Sequence, residues 1–459
     1  MSAKSTPLDL KMTTPEKKAA LTHIGEADLK RFVVQSALLY LIDPVRGEPT
    51  RTSLDEDPDG DISGGQKLKQ KFLESFALIC STSSSGAETA SAVCLEQHDP
   101  AGAILRLARN RGLTPRDLNS LEKVLQVLQA VARKEKSLTQ AEPEILCLVV
   151  ELDRGRILSM AEKVEKRMQV FLREAHSKLL SGPVKPETRA KLELIFWLES
   201  CPFTAASLQA GSPATMAMLI DWASQARWLY SEQLRSMLGP QKPAWLDSLH
   251  KIARYHSAIK SMIKLAAKQP DILAGIHIRE VKAPNSRSFS LSNGKAHLLA
   301  AVKSLTREDS GNTMAQLETH LGTQDVEAKL RKTCRLKLTL HAEMQLVVFY
   351  EENPCLAPRM SFIGTSKKAC FLCHKYLLRH PLGLQVAACH QKIYPSWMPP
   401  PYYPIPGRFK STPFVKLNKS IEQLTKRELK TALTAPRRPK NQDSTAGPSL
   451  TITATEPTG

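Results

Sequence analysis

Arg335-Leu336-Lys337-Leu338-Thr339-Leu340 runs directly into His341-Ala342-Glu343, and after twenty-six intervening residues comes Cys370-Phe371-Leu372-Cys373. The first six residues alternate apolar and polar, the period of a strand. His341 to Glu352 then reads as a helix, apolar nearly all round and so sandwiched between other elements. Beyond it, Met360 to Gly364 reads as a short strand, Cys370 to Arg379 as a helix and Leu384 to Cys389 as a strand. A histidine and a pair of cysteines therefore stand at the starts of two helices in a strand–helix alternation.

That arrangement suits one metal ion. Cysteines three apart on a helix face the same side, so both sulfurs reach a common point. The unsatisfied N–H groups of a helix start also favour thiolate. A catalytic zinc takes three protein ligands and leaves its fourth position to water, and His341, Cys370 and Cys373 make up such a set. A metal so held draws the pKa of its water toward neutrality. Glu343, two residues past His341 and not counted as a ligand, is the candidate catalytic proton carrier.

Three other readings compete. Cys370 to His374 also spells C-x-x-C-H, the haem-attachment pattern, but that chemistry needs an export or organelle context which the sequence does not show. A redox pair also uses C-x-x-C, yet here the pair sits late in the chain with a matching H-x-E upstream. In a closed structural zinc site, His374, Cys389 or His390 supplies a fourth ligand, and Glu343 has no catalytic role.

H-x-E followed by P-C-x-x-C is a signature of zinc deaminases that attack cytosine or adenine. The chain resembles a fungal family of predicted nucleic-acid deaminases within the cytidine deaminase-like superfamily. The resemblance spans roughly residues 245 to 400. It is carried by Arg254-Tyr255-His256, Leu340 to Glu343, Phe362 to Lys368, Cys370 to Cys373, and His390-Gln391-Lys392-Ile393-Tyr394-Pro395. One position departs from the signature: Ala369 stands where it has proline. The resemblance implies a mixed α/β/α domain, with the metal between two helix starts and zinc as cofactor. Trp245 to Ala267 is then its first helix, and Ile276 to Val281 and Arg335 to Leu340 are its first two strands.

The expected fold class is thus an α-helical N-terminal module followed by a mixed α/β/α cytidine deaminase-like domain. Residues 1–22 read as a polar tail and 23–240 as the helical module, in which apolar residues recur at three and four. Residues 241–407 read as the zinc domain, 408–435 as a basic helix and 436–459 as a disordered tail. The partners of the helical module are not legible. Asp55-x-Asp57-x-Asp59-Gly60 imitates a calcium loop, but Gln66 at its twelfth position lacks the bidentate carboxylate, so it reads as an acidic surface loop.

The whole chain has 459 residues and a net charge of +19. Arg408 to Lys440 holds ten Lys or Arg against two Glu. Such a surface attracts a polyanion, here a nucleic acid or nucleotide, or is simply a solvated basic helix. Lys367 and Lys368 precede the first metal cysteine, and Lys368 is a candidate substrate contact. Tyr394, Trp397, Tyr402 and Tyr403 sit among prolines, either to stack on a base or to pack the loop; Tyr394 and Trp397 are candidate substrate contacts. No stretch approaches the ~18 apolar residues of a membrane span. No apolar h-region follows Met1, and the nine cysteines are scattered and odd in number. An intracellular location, cytoplasmic or nuclear and not secreted, is the expectation.

Overall fold

A computed structural model describes residues 24–50, 65–83, 88–98, 102–180, 186–201, 203–238, 243–293, 296–306, 310–401 and 413–433. The expected polar tail, the acidic loop from Asp55 to Ile62, Tyr402, Tyr403 and the tail beyond 436 lie outside these residues. No described helix is long and apolar enough to cross a membrane.

The strands in chain order are β1 (Ser91–His98), β2 (Gly102–Arg109), β3 (His277–Glu280), β4 (Arg287–Phe289), β5 (Leu336–Leu338), β6 (Phe362–Thr365) and β7 (Gln385–Val386). Five of them form a mixed sheet in the order β3-β2-β1-β6-β7. β1 is antiparallel to both β2 and β6, while β2–β3 and β6–β7 are parallel.

Helices cover both faces, because alternate residues of the central strands point into two different cores. Val93, Leu95, Leu105, Leu107 and Phe362 join the core built by the helices Gly65–Ile79, Leu138–Leu180 and Ala244–Lys268. Ala92, Cys94, Ala108 and Ile363 join the opposite core, with the helices Glu26–Ile42, Ala342–Glu352, Phe371–Leu377 and Pro413–Thr431. Both helices that start at metal-ligand candidates lie on this second face. A buried ion pair ties it to the sheet. Arg106 clasps Glu96 with Nε and Nη2 at 2.8 and 3.0 Å, and Tyr350 on the His341 helix donates its hydroxyl to Glu96 at 3.0 Å.

Two expectations need correction. The stretch from 23 to 240 is not purely helical: it supplies the hairpin β1–β2, the middle of the sheet, and so shares that sheet with the region beyond 240. The hairpin is buried on both faces, so its sequence shows no alternation. Arg335 to Leu340 is not a strand of the main sheet either. Its β5 pairs with β4 in a separate two-stranded ribbon.

Candidate metal centre

His341 sits in extended conformation just ahead of the helix Ala342–Glu352, with φ −65° and ψ 151°. Its side chain does not cap that helix. Asn110, immediately after β2, does so by accepting from the Ala342 N–H at 2.8 Å. Gln345 holds the preceding turn by donating Nε2 to the carbonyls of Leu340 (2.9 Å) and Arg109 (3.2 Å). The unexpected hairpin thus fixes the histidine, and its imidazole is left for another task.

Cys370 occupies the equivalent place before the helix Phe371–Leu377, and its Sγ accepts from the Cys373 N–H at 3.3 Å. The Nδ1 of His341 lies 3.6 Å from Cys370 Sγ and 3.4 Å from Cys373 Sγ. Zinc bond lengths in a tetrahedron place such nitrogen and sulfur ligands about 3.6 Å apart, so the set fits zinc within a few tenths of an ångström. All three donor atoms lie within 4.8 Å of one another. Among the described residues they form the one group of three or more His, Cys, Asp or Glu side chains able to hold a metal, and His374, Cys389 and His390 do not join it.

The electrostatics suit a cation. Burial alone raises a thiol, yet the Cys373 hydrogen bond and the nearby His341 drive Cys370 well below the ordinary thiol range. Burial and the neighbouring Cys370 push Cys373 well above it, so the pair keeps one proton that a metal would displace. Glu343 is buried and lies within electrostatic reach of His341 and Cys370, outside the ligand group. Burial raises its carboxyl above the ordinary glutamate value.

Ala369 shows why this chain can dispense with the signature proline. Its N–H donates to the Ala388 carbonyl at 2.9 Å and ties the cysteine loop to the segment after β7. Proline has no N–H and would lose that bond.

The other sequence candidates divide. Tyr394 comes to the site, its ring 6.1 Å from that of His341 and 5.6 Å from that of His390. Trp397 is no stacking platform, since it is fully buried among Phe32 and Tyr376. It instead donates Nε1–H to the candidate ligand atom Cys373 Sγ at 3.2 Å, a bond of the kind that tunes metal sites. Nothing in the sequence marks that role. Lys368 is buried, and no hydrogen bond or ion pair among the described residues ties it to the triad. Burial and the cations Arg156, Lys251 and Lys392 pull the Lys367 ammonium down to about 8. Burial likewise brings His390 down to about 4, so it is neutral at pH 7. A cavity of about 480 Å³ lined by Leu340, Gln345, Phe349 and Pro401 lies off the triad and includes none of its residues.

The family model described as "OTT_1508_deam:-like deaminase" matches residues 340–401. This segment runs from the residue before His341 to the end of the proline-rich loop, and it contains all three metal-ligand candidates and Glu343. Here the chain is similar to deaminases. No curated protein and no solved structure matches it.

Proposed function

We propose that the chain is a zinc-dependent hydrolytic deaminase acting on a cytosine or adenine base, presented as a nucleoside, a nucleotide or part of a nucleic acid. The observation that carries this reading is the group His341, Cys370 and Cys373, which no fourth protein ligand joins among the described residues, with the buried Glu343 beside it. Zinc bound there supplies Lewis acidity that brings the pKa of a water toward neutrality.

The residues of the chain do the rest. Hydrolytic deamination adds water at the amine-bearing ring carbon and releases ammonia, so a proton must leave the water and another must reach the departing nitrogen. Glu343 serves both transfers, and its raised pKa suits a group that holds a proton part of the time. Trp397 keeps Cys373 oriented from behind. Tyr394 stands at the rim, next to the rings of His341 and His390, where an aromatic face can stack on a base.

The test couples metal content to turnover. Purified protein is expected to hold about one zinc per chain and to release ammonia from at least one cytosine or adenine substrate in a panel of nucleosides, nucleotides and oligonucleotides. Cys370→Ser and Cys373→Ser are each expected to lose the metal and the turnover. Full zinc in both variants would sink the assignment, as would silence of the zinc-loaded parent across the panel.

A further inference from the structure

The turn Cys389–Lys392 is held in a way that packing alone does not call for. Gln391 adopts φ +59°, in the left-handed region, and Lys134 is the other described non-glycine residue with positive φ. Such strain persists where surrounding structure enforces it, and it gathers at functional sites. Here the enforcement is visible. The Gln391 carbonyl accepts from the Arg46 N–H at 2.8 Å, and the Ile393 N–H donates to Pro44 O at 3.0 Å. On the other side His390 N–H donates to Ala369 O at 3.1 Å, and Phe371 N–H donates to Lys392 O at 3.0 Å. His390 is thereby pinned beside the residue that precedes the metal ligand Cys370.

The strained turn also decides the state of the His390 ring. It swings the Lys392 N–H onto His390 Nδ1 at 3.0 Å. A backbone N–H only donates, so Nδ1 is the accepting nitrogen and the proton of the neutral ring sits on Nε2. His390 is only 3% exposed, its ring nearly perpendicular to that of Tyr394, which in turn neighbours His341. Among the described residues Nε2 has no hydrogen-bond partner. A fixed donor is thus held across the Tyr394 ring from the candidate metal ligand His341.

We propose that His390 is a substrate-recognition residue, donating Nε2–H to an acceptor on the base, a ring nitrogen or carbonyl oxygen near the carbon that loses its amine. This rests on the deaminase reading and adds a specificity contact to it. With Nδ1 held as an acceptor, the proton sits on Nε2, which then offers no lone pair to a metal, in keeping with His390 lying outside the metal group.

Two measurements test it on the zinc-loaded full chain. In long-range proton–nitrogen correlation spectra at pH 7, the imidazole signal that disappears in His390→Gln is expected to be a neutral ring protonated on Nε2. A ring protonated on Nδ1, or on both nitrogens, overturns the proposal. The second measurement is calorimetric binding of cytidine monophosphate and adenosine monophosphate in a Glu343→Gln background, where no turnover intervenes. His390→Leu is expected to weaken the better ligand at least tenfold, and His390→Gln, whose amide N–H can stand in for Nε2–H, to recover part of that. Zinc content is expected to be unchanged in both; His390→Leu leaves the Lys392 N–H without its acceptor, so its Tm is expected to fall, and binding is compared at a temperature where both variants are folded. Equal affinity in His390→Leu, or no binding of either nucleotide before the substitution, overturns the proposal. A failure of the deaminase reading shows differently, as binding without ammonia release in the parent.

Discussion

Glu343 and His341 stand two residues apart at one helix start, and the difference between their roles is testable. His341 lies just ahead of the first helical residue and turns Nδ1 toward the two sulfurs, while Glu343 is inside the first turn and outside the ligand group. Glu343→Gln keeps the shape and can still hydrogen-bond a water, but it can neither take nor deliver a proton. The variant is expected to keep its zinc and Tm and to lose turnover by well over the ~10²-fold typical of general acid–base catalysis. Steady-state kinetics with metal analysis of the same sample checks this, and robust turnover would refute the mechanism. At this scale the metal-ligand candidates are legible in sequence, because metal chemistry dictates residue types and their spacing. The roles of Trp397, Asn110 and His390 are not, because each is defined by one hydrogen bond to a partner distant in sequence or by a turn conformation. The aromatic loop misleads for a related reason: a tryptophan beside prolines reads the same whether its ring faces a ligand or a sulfur.

The elements show where the sequence pattern stops speaking. An amphipathic helix such as Ala244–Lys268, expected from Trp245 to Ala267, is legible to within a residue, since its periodicity records which face is buried. The central hairpin is not, because β1 and β2 are buried on both faces and carry Glu96 and Arg106 inside. A period-two search finds half-buried strands, and these charges make sense only once paired. Close packing is equally silent in sequence. Gly364 of β6 lies against the helix Gly65–Ile79, and a Cβ there would fall 2.3 Å from the Leu73 backbone carbon and 2.5 Å from its Cβ. Neither is a flexible tip that can turn aside. Gly364→Ala is therefore expected to destabilise the fold by about 1–3 kcal/mol, the usual range for overpacking. Thermal or denaturant unfolding measures it. A Tm equal to that of the parent would mean that helix and strand do not pack this closely.

The whole molecule carries a net charge of +19, and the helix Pro413–Thr431 shows how part of it is displayed. Phe414, Leu417, Ile421 and Leu429 are buried on one side. Lys416, Lys419, Lys426, Arg427 and Lys430 are exposed, and at 100° per residue they fall in one stripe of the opposite side. Of the acidic residues, Glu422 is half-buried, and Glu428 pairs with Arg46 at 2.6 Å and with Arg427 of the stripe at 3.4 Å, which leaves the four lysines to carry the stripe. Phe32 packs against both Phe414 of this helix and Trp397, and Arg379, just beyond the cysteine helix, donates to Ser420 at 3.0 Å, so the stripe belongs to the same face of the sheet as the metal centre. A row of cations is matched by a phosphate backbone, whose binding releases counterions and so weakens with salt. Changing Lys416, Lys419, Lys426 and Lys430 together to Gln is expected to weaken binding of a single-stranded oligonucleotide. The slope of log affinity against log salt is expected to flatten by roughly 0.7 for each phosphate that is no longer neutralised. Turnover of a free nucleoside is expected to be unaffected, because the helix supplies none of the residues at the metal centre. Fluorescence anisotropy over a salt series measures both affinity and slope. If neither changes, the stripe is a solvated face, and any nucleic acid is held by the site alone.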